Sequence, residues 1–115
     1  MHEMSLAGGI LKLVEDSARR ERFRRVTRIT LEVGKLSGVE VESLRFALGA
    51  IAPGTLLDGA EIAIEEPPGT AWCMSCAELT QITERGEPCR QCGGFRLQPA
   101  GGTELRLIDM VVEDD

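Results

Sequence analysis

The sequence predicts an α+β protein: a small antiparallel three-stranded sheet with two helices on one face, plus an inserted zinc-ribbon module. Three observations predict it. Two stretches carry apolar residues at helical spacing, three others alternate apolar and polar, and all four cysteines fall into two Cys-x-x-Cys pairs. At 115 residues the chain suits one domain of ordinary size with a small module attached. Three Phe, one Trp and no Tyr leave an apolar fraction of 43% that is mostly aliphatic, so the core must be aliphatic too.

From Met4 to about Phe23, Leu6, Ile10, Leu13 and Val14 recur at helical spacing, with Ala7, Leu11 and Ala18 beside them. Gly8-Gly9 costs roughly 1 kcal/mol per residue relative to Ala, which predicts a frayed or closely packed first turn. Val26 to Val33 alternates, with Thr27, Ile29, Leu31 and Val33 on one face of a half-buried strand. Ser37-Gly38-Val39-Glu40 has the form of a capping box ahead of a second helix, whose buried face is Val41, Leu44, Leu48 and Ile51. Pro53-Gly54 ends that helix, and Ala60 to Glu65 makes a second strand with Ile62 and Ile64 inward. Glu65-Glu66-Pro67-Pro68-Gly69 is a boundary. Leu79 to Thr83 and Phe95 to Leu97 are the short strands of the cysteine module, and Gln98 to Gly102 is its return linker. Thr103 to Glu113 is the last strand, with Leu105 and Leu107 inward and a shift to Met110 and Val112 after Asp109. The domain plan is therefore residues 1–66 and 99–115 for an α/β domain, with residues 67–98 inserted as a zinc-binding domain.

Cys73-Met74-Ser75-Cys76 and Cys89-Arg90-Gln91-Cys92 use every cysteine. A pair separated by two residues fits a tight turn that aims both sulfurs at one point, and two such turns supply the four soft ligands of a closed tetrahedral zinc site. A disulfide-linked or redox pair is the competing reading, since a lone Cys-x-x-Cys can be catalytic. Four ligands leave no open position for a substrate, so zinc here builds rather than reacts. Trp72, Leu79, Ile82, Phe95 and Leu97 are the module's few apolar residues, so metal binding must supply much of its folding free energy.

A formal charge of −6 argues against a nucleic-acid backbone as main partner. No apolar run approaches the ~20 residues needed to span a bilayer. No export signal is evident, and unbridged cysteines point to the cytoplasm. One cationic cluster interrupts the acidity: Arg19, Arg20, Arg22, Arg24 and Arg25, continued by Arg28. It reads as a solvated helix C-terminus facing the negative end of the dipole, as a docking patch for an acidic partner, or as a nucleic-acid contact. The last is disfavoured because Phe23 alone could stack. With the only histidine at the terminus and no nucleophile motif, nothing points to an enzyme.

That histidine is His2. Its imidazole, its own amide nitrogen and the Met1 amine can close two fused chelate rings on one metal ion. The Glu3 amide or carboxylate could complete the set. In-plane nitrogen ligands suit square-planar Ni(II) or Cu(II) far better than Mg or Ca. Amine and imidazole must both shed protons to bind, so affinity falls with pH. A solvated residue without a role is the plainer reading of a histidine at this position.

Met1-His2-Glu3-Met4-Ser5-Leu6 together with the paired Cys-x-x-Cys resembles the HypA/HybF family, the nickel metallochaperones of NiFe-hydrogenase maturation. Val33-Gly34-Lys35-Leu36-Ser37, Glu42-Ser43-Leu44-Arg45-Phe46-Ala47 and Gly101-Gly102-Thr103-Glu104-Leu105 are also similar. The resemblance implies that Met1, His2 and Glu3 bind nickel as transported cargo in the α/β domain, and that Cys73, Cys76, Cys89 and Cys92 hold structural zinc. It also implies a maturation GTPase of the HypB type as partner and a NiFe-hydrogenase large-subunit precursor as recipient. Homodimerisation, service to urease and the fourth nickel ligand stay open. Some members bring a further histidine to the nickel, and this sequence has none. A zinc-ribbon adaptor without nickel transfer is the alternative function.

Overall fold

The computed structural model describes residues 2–114 of the chain. Its elements follow in the order α1 (Glu3–Glu21), β1 (Phe23–Val33), α2 (Val41–Ile51), β2 (Glu61–Glu65), β3 (Gly69–Cys73), β4 (Glu78–Ile82), β5 (Leu97–Gly101) and β6 (Leu105–Asp114). Two three-stranded sheets form, β2-β1-β6 and β4-β3-β5. The fold is α+β, as the two periodicities predict.

The chain divides into two compact units. The first comprises Met1–Leu31, Val39–Ile64 and Leu107–Asp115; the second comprises Glu32–Gly38 and Glu65–Arg106. Gln98 to Gly101, expected as a linker, is strand: β5 pairs antiparallel with β3, Trp72 opposite Gln98 and Ala71 opposite Pro99. Proline donates no hydrogen bond and is confined to edge strands, which is where β5 lies.

In the first unit, α1 buries Ala7, Ile10 and Val14 and packs against α2, which buries Leu44, Ala47 and Leu48. Leu13, expected on the buried face, is 54% exposed. The buried stripe of α1, Ala7, Ile10 and Val14, is narrower than the apolar one. Gly8 and Gly9 lie within an unbroken helix and face open space, so no close packing explains them. Helix α1 stops at Glu21; Phe23 opens β1 and is buried with Val26, Ile29 and Leu31. Val26 is buried where strict alternation placed Thr27.

Ser37 does not cap α2. The cap is Glu40, whose carboxylate accepts from the Ser43 N–H at 2.9 Å and from its hydroxyl at 3.0 Å. The capping box failed by three residues because Gly38, at φ 79°, still belongs to the turn. Arg45 joins α2 to β2 by donating to the Ile62 carbonyl at 2.7 Å.

Strands β1 and β6 run antiparallel: Arg24 donates to the Asp114 carbonyl, Thr27 to that of Val111, and Arg106 bridges both Glu32 carboxylate oxygens at 3.1 and 3.2 Å. The half-buried set of β6 shifts from Leu105 and Leu107 to Met110 and Val112, with Ile108 and Asp109 both exposed, as the pattern predicts.

The two glycine motifs singled out by resemblance meet in the second unit. The Gly34 N–H donates to the Glu104 carbonyl at 2.9 Å, and the Leu36 N–H to the Gly102 carbonyl at 2.7 Å. A Cβ at Gly34 would overlap the Gly102 backbone. The approach holds Leu36 against Ala71, Ile82 and Leu97, the unit's whole apolar cluster among the described residues. Gly34→Ala should therefore lower unfolding stability by more than about 2 kcal/mol, measured by chemical denaturation, because backbone rather than a flexible side chain must yield.

Candidate metal centres

The second unit closes around its cysteines. Strand β3 ends on Cys73, and the chain turns so that the Ala77 N–H donates to the Cys73 carbonyl at 2.8 Å. The second pair repeats the turn: the Gly93 N–H donates to the Cys89 carbonyl at 2.9 Å. Both turns end left-handed, with φ 55° at Ala77 and 74° at Gly93. Backbone amides reach the sulfurs in each: Cys76 N–H to Cys73 Sγ, Gln91 N–H to Cys89 Sγ and Gly94 N–H to Cys92 Sγ, all at 3.4 Å. Such donors stabilise thiolates.

All four sulfurs lie within 4.8 Å of one another. Cys73 Sγ is 3.8 Å from Cys92 Sγ, and Cys76 Sγ is 3.9 Å from Cys89 Sγ. Zinc–sulfur bonds of about 2.3 Å at tetrahedral angles put sulfurs about 3.8 Å apart, so the spacing fits a tetrahedral thiolate metal site. The cysteines are unbridged, and Cys73 and Cys89 are buried.

Four thiols so close cannot all ionise without a cation. The Cys89 thiol is drawn down to about 6, first by the Cys92 N–H and then by the Gln91 N–H. Cys76 is pushed up to about 12, chiefly by sharing a hydrogen bond with the Cys92 sulfur. A divalent metal removes the conflict by making all four anionic ligands favourable at once.

The other predicted site lies at the start of α1. His2 occupies the N-cap position at φ −117°, exposed, and its side chain makes no capping hydrogen bond. Its carbonyl accepts from the Leu6 N–H at 2.9 Å, which starts the helix. As a cap residue it supplies no N–H to the helical ladder, so its amide can be given to a metal without breaking a helical bond. Glu3 is only 7% exposed, and its Oε2 accepts from the Glu40 N–H at 3.1 Å. One carboxylate oxygen thus ties the start of α1 to the start of α2. The Met1 amine lies outside the described residues. The structure brings the cysteines together and places His2 beside the anchored Glu3. Glu40, which the sequence pattern reads as the end of a capping box, instead caps α2 and holds Glu3.

Two compact units, one carrying a four-cysteine metal centre and the other an exposed histidine on a helix N-cap, define a small metal-binding α+β protein. A family model described as "HypA: Hydrogenase/urease nickel incorporation, metallochaperone, hypA" matches residues 1–112. The chain belongs to the HypA family, nickel-incorporation metallochaperones associated with hydrogenase maturation. It is 67% identical over 114 residues to a hydrogenase maturation factor HypA of Cupriavidus necator, covering 99% of this chain and 96% of that protein. Its identity to the corresponding factor of Polaromonas naphthalenivorans is 63% over 115 residues, the full length of both. The solution structure of the Ni metallochaperone HypA from Helicobacter pylori shares the fold at a TM-score of 0.70 and 19% identity, with complete coverage of both chains. No helix among the described residues is long and apolar enough to cross a membrane.

The left-handed residue after the first cysteine pair yields a direct test. Glycine fits that conformation at less strain than alanine, so Ala77→Gly should stabilise the cysteine unit by about 1 kcal/mol, and Gly93→Ala should destabilise it similarly. Chelator-induced metal release, followed with a colorimetric indicator, should slow in the first variant and quicken in the second.

Proposed function

We propose that this protein carries Ni(II) at its amino terminus and delivers it for assembly of the NiFe-hydrogenase active site. The nickel is cargo. Met1, His2 and Glu3 supply its ligands, while Cys73, Cys76, Cys89 and Cys92 hold a structural zinc ion. The single observation that supports the nickel reading best is the state of His2: exposed, uncommitted as a cap, and adjacent to a carboxylate already anchored by the Glu40 N–H. Anchoring Glu3 limits the freedom of the backbone that must wrap the ion, which reduces the entropy lost on binding. An exposed terminal chelate also suits transfer, because a recipient can displace its ligands one at a time, whereas a closed four-thiolate cage retains its metal. Zinc, when bound, supplies the charge that lets four thiolates share one point; the surrounding N–H donors and the Gly34–Gly102 contact shape the unit around them.

A maturation GTPase of the HypB type and the hydrogenase large-subunit precursor are the proposed partners, and the cytoplasm is the proposed location. The protein acts as a carrier rather than an enzyme. Family membership supports these readings.

A nickel titration of zinc-loaded protein with its native, untagged amino terminus tests the proposal, with His2→Ala alongside. The expected result is one Ni(II) per chain with a planar optical signature, lost in the variant without change in circular dichroism. Binding should weaken as pH falls, because the amine and imidazole must be deprotonated to bind. Equal binding by both proteins would contradict the assignment and leave the zinc-ribbon adaptor as the better reading, which Trp72, Leu79 and Phe95, exposed on the cysteine unit, would then serve.

A further inference from the structure

The arginine cluster is not absorbed by either metal site. In the first unit the last turn of α1 faces the Gly54–Leu56 turn across an open cleft of about 890 Å³. Arg19, Arg22 and Arg24 line it, with Glu15 as the one carboxylate of the lining, while Arg19 and Arg24 also pair with Asp16 and Glu113. Ala18, Phe23 and Leu56 give it apolar ground. The far wall is braced: Asp58 Oδ2 accepts from the Gly54 N–H at 3.1 Å, and the Leu56 carbonyl accepts from the Val26 N–H at 3.0 Å.

The helix dipole does not account for all three cations. Arg19 pairs with Asp16, and Arg20 contacts Ser17, as ordinary last-turn residues do. Arg22 lies one residue beyond the helix at φ 61°, a conformation that glycine adopts with less strain. It makes no ion pair among the described residues. An arginine therefore lines the cleft at a position where fold stability alone would favour glycine.

We propose that this cleft docks an extended acidic segment of a partner protein, its carboxylates paired with Arg19, Arg22 and Arg24. This is independent of the nickel assignment. Planar guanidiniums pair best with carboxylates and phosphates. The cleft is far larger than one phosphate group, and its aromatic residue, Phe23, is 6% exposed and offers no face on which a base could stack. Arg24 already shows the mode of contact, meeting the Glu113 carboxylate at 3.6 Å and donating to the Asp114 carbonyl at 3.1 Å. The whole chain carries −6, so an acidic peptide is repelled everywhere except at a local cationic site.

The test is fluorescence anisotropy of the full-length zinc-loaded protein with a fluorescein-labelled peptide of alternating Glu and Asp. A Gln/Asn peptide of equal length serves as the neutral control, and ATP and single-stranded DNA as competitors. The acidic peptide should bind and the neutral one should not. Arg19→Gln with Arg22→Gln should weaken binding about tenfold, and Lys12→Gln, on the same helix outside the cleft, by less than about twofold. Arg22→Gly separates this role from a structural one: it should raise the thermal midpoint while weakening the peptide. Undiminished binding by the Arg22 variants would overturn the proposal, as would a lowered midpoint in Arg22→Gly, or stronger binding of ATP or DNA than of the peptide.

Discussion

Four sulfurs brought within 4.8 Å of each other are the constraint on which the second unit depends. As thiolates they repel; as thiols they contribute little. The apolar cluster around them is Leu36, Ala71 and Ile82 with Leu97 packed on it, too small to hold the segment together by burial. A cation held by the four sulfurs would turn the repulsion into attraction, and amide donors already reach Cys73, Cys89 and Cys92. Around them β3 ends on Cys73, β4 and β5 pair on its two sides, and Gly34 meets Gly102.

The first unit solves its problem differently. It has enough aliphatic surface for an ordinary core, centred on β1 with the two helices, and its first helix starts on an exposed histidine at the N-cap. The Glu3–Glu40 contact links that start to the neighbouring helix. The Glu40 carboxyl is held below the usual carboxylate range, first by the Ser43 N–H and then by its hydroxyl. It therefore stabilises the fold above the unfolded carboxylate range and loses that contribution as pH falls.

How much was legible in the sequence varied with the kind of signal. Cysteine spacing is a chemical constraint, and it pointed to the cluster directly. Periodicity located both helices and most strands, because Ile10, Val14, Leu44 and Leu48 bury as one-face patterns should. It failed where local identity and long-range pairing disagree. Gln98-Pro99-Ala100-Gly101 reads as a linker, and only β3 beside it makes it a strand. Leu13 fits the stripe, yet it stays exposed. Glu40 was visible but misassigned, since a capping box and a direct side-chain cap share the same residue types. The role of Arg22 needed the backbone angle, which composition does not encode.

Sulfur for the architectural metal and nitrogen for the cargo is the proposed division of labour. X-ray absorption at the zinc and nickel edges of one doubly loaded sample tests it most directly. The expected result is zinc with four sulfur neighbours at about 2.3 Å and nickel with only nitrogen and oxygen neighbours. Sulfur in the nickel shell, or fewer than four sulfurs on zinc, would contradict it.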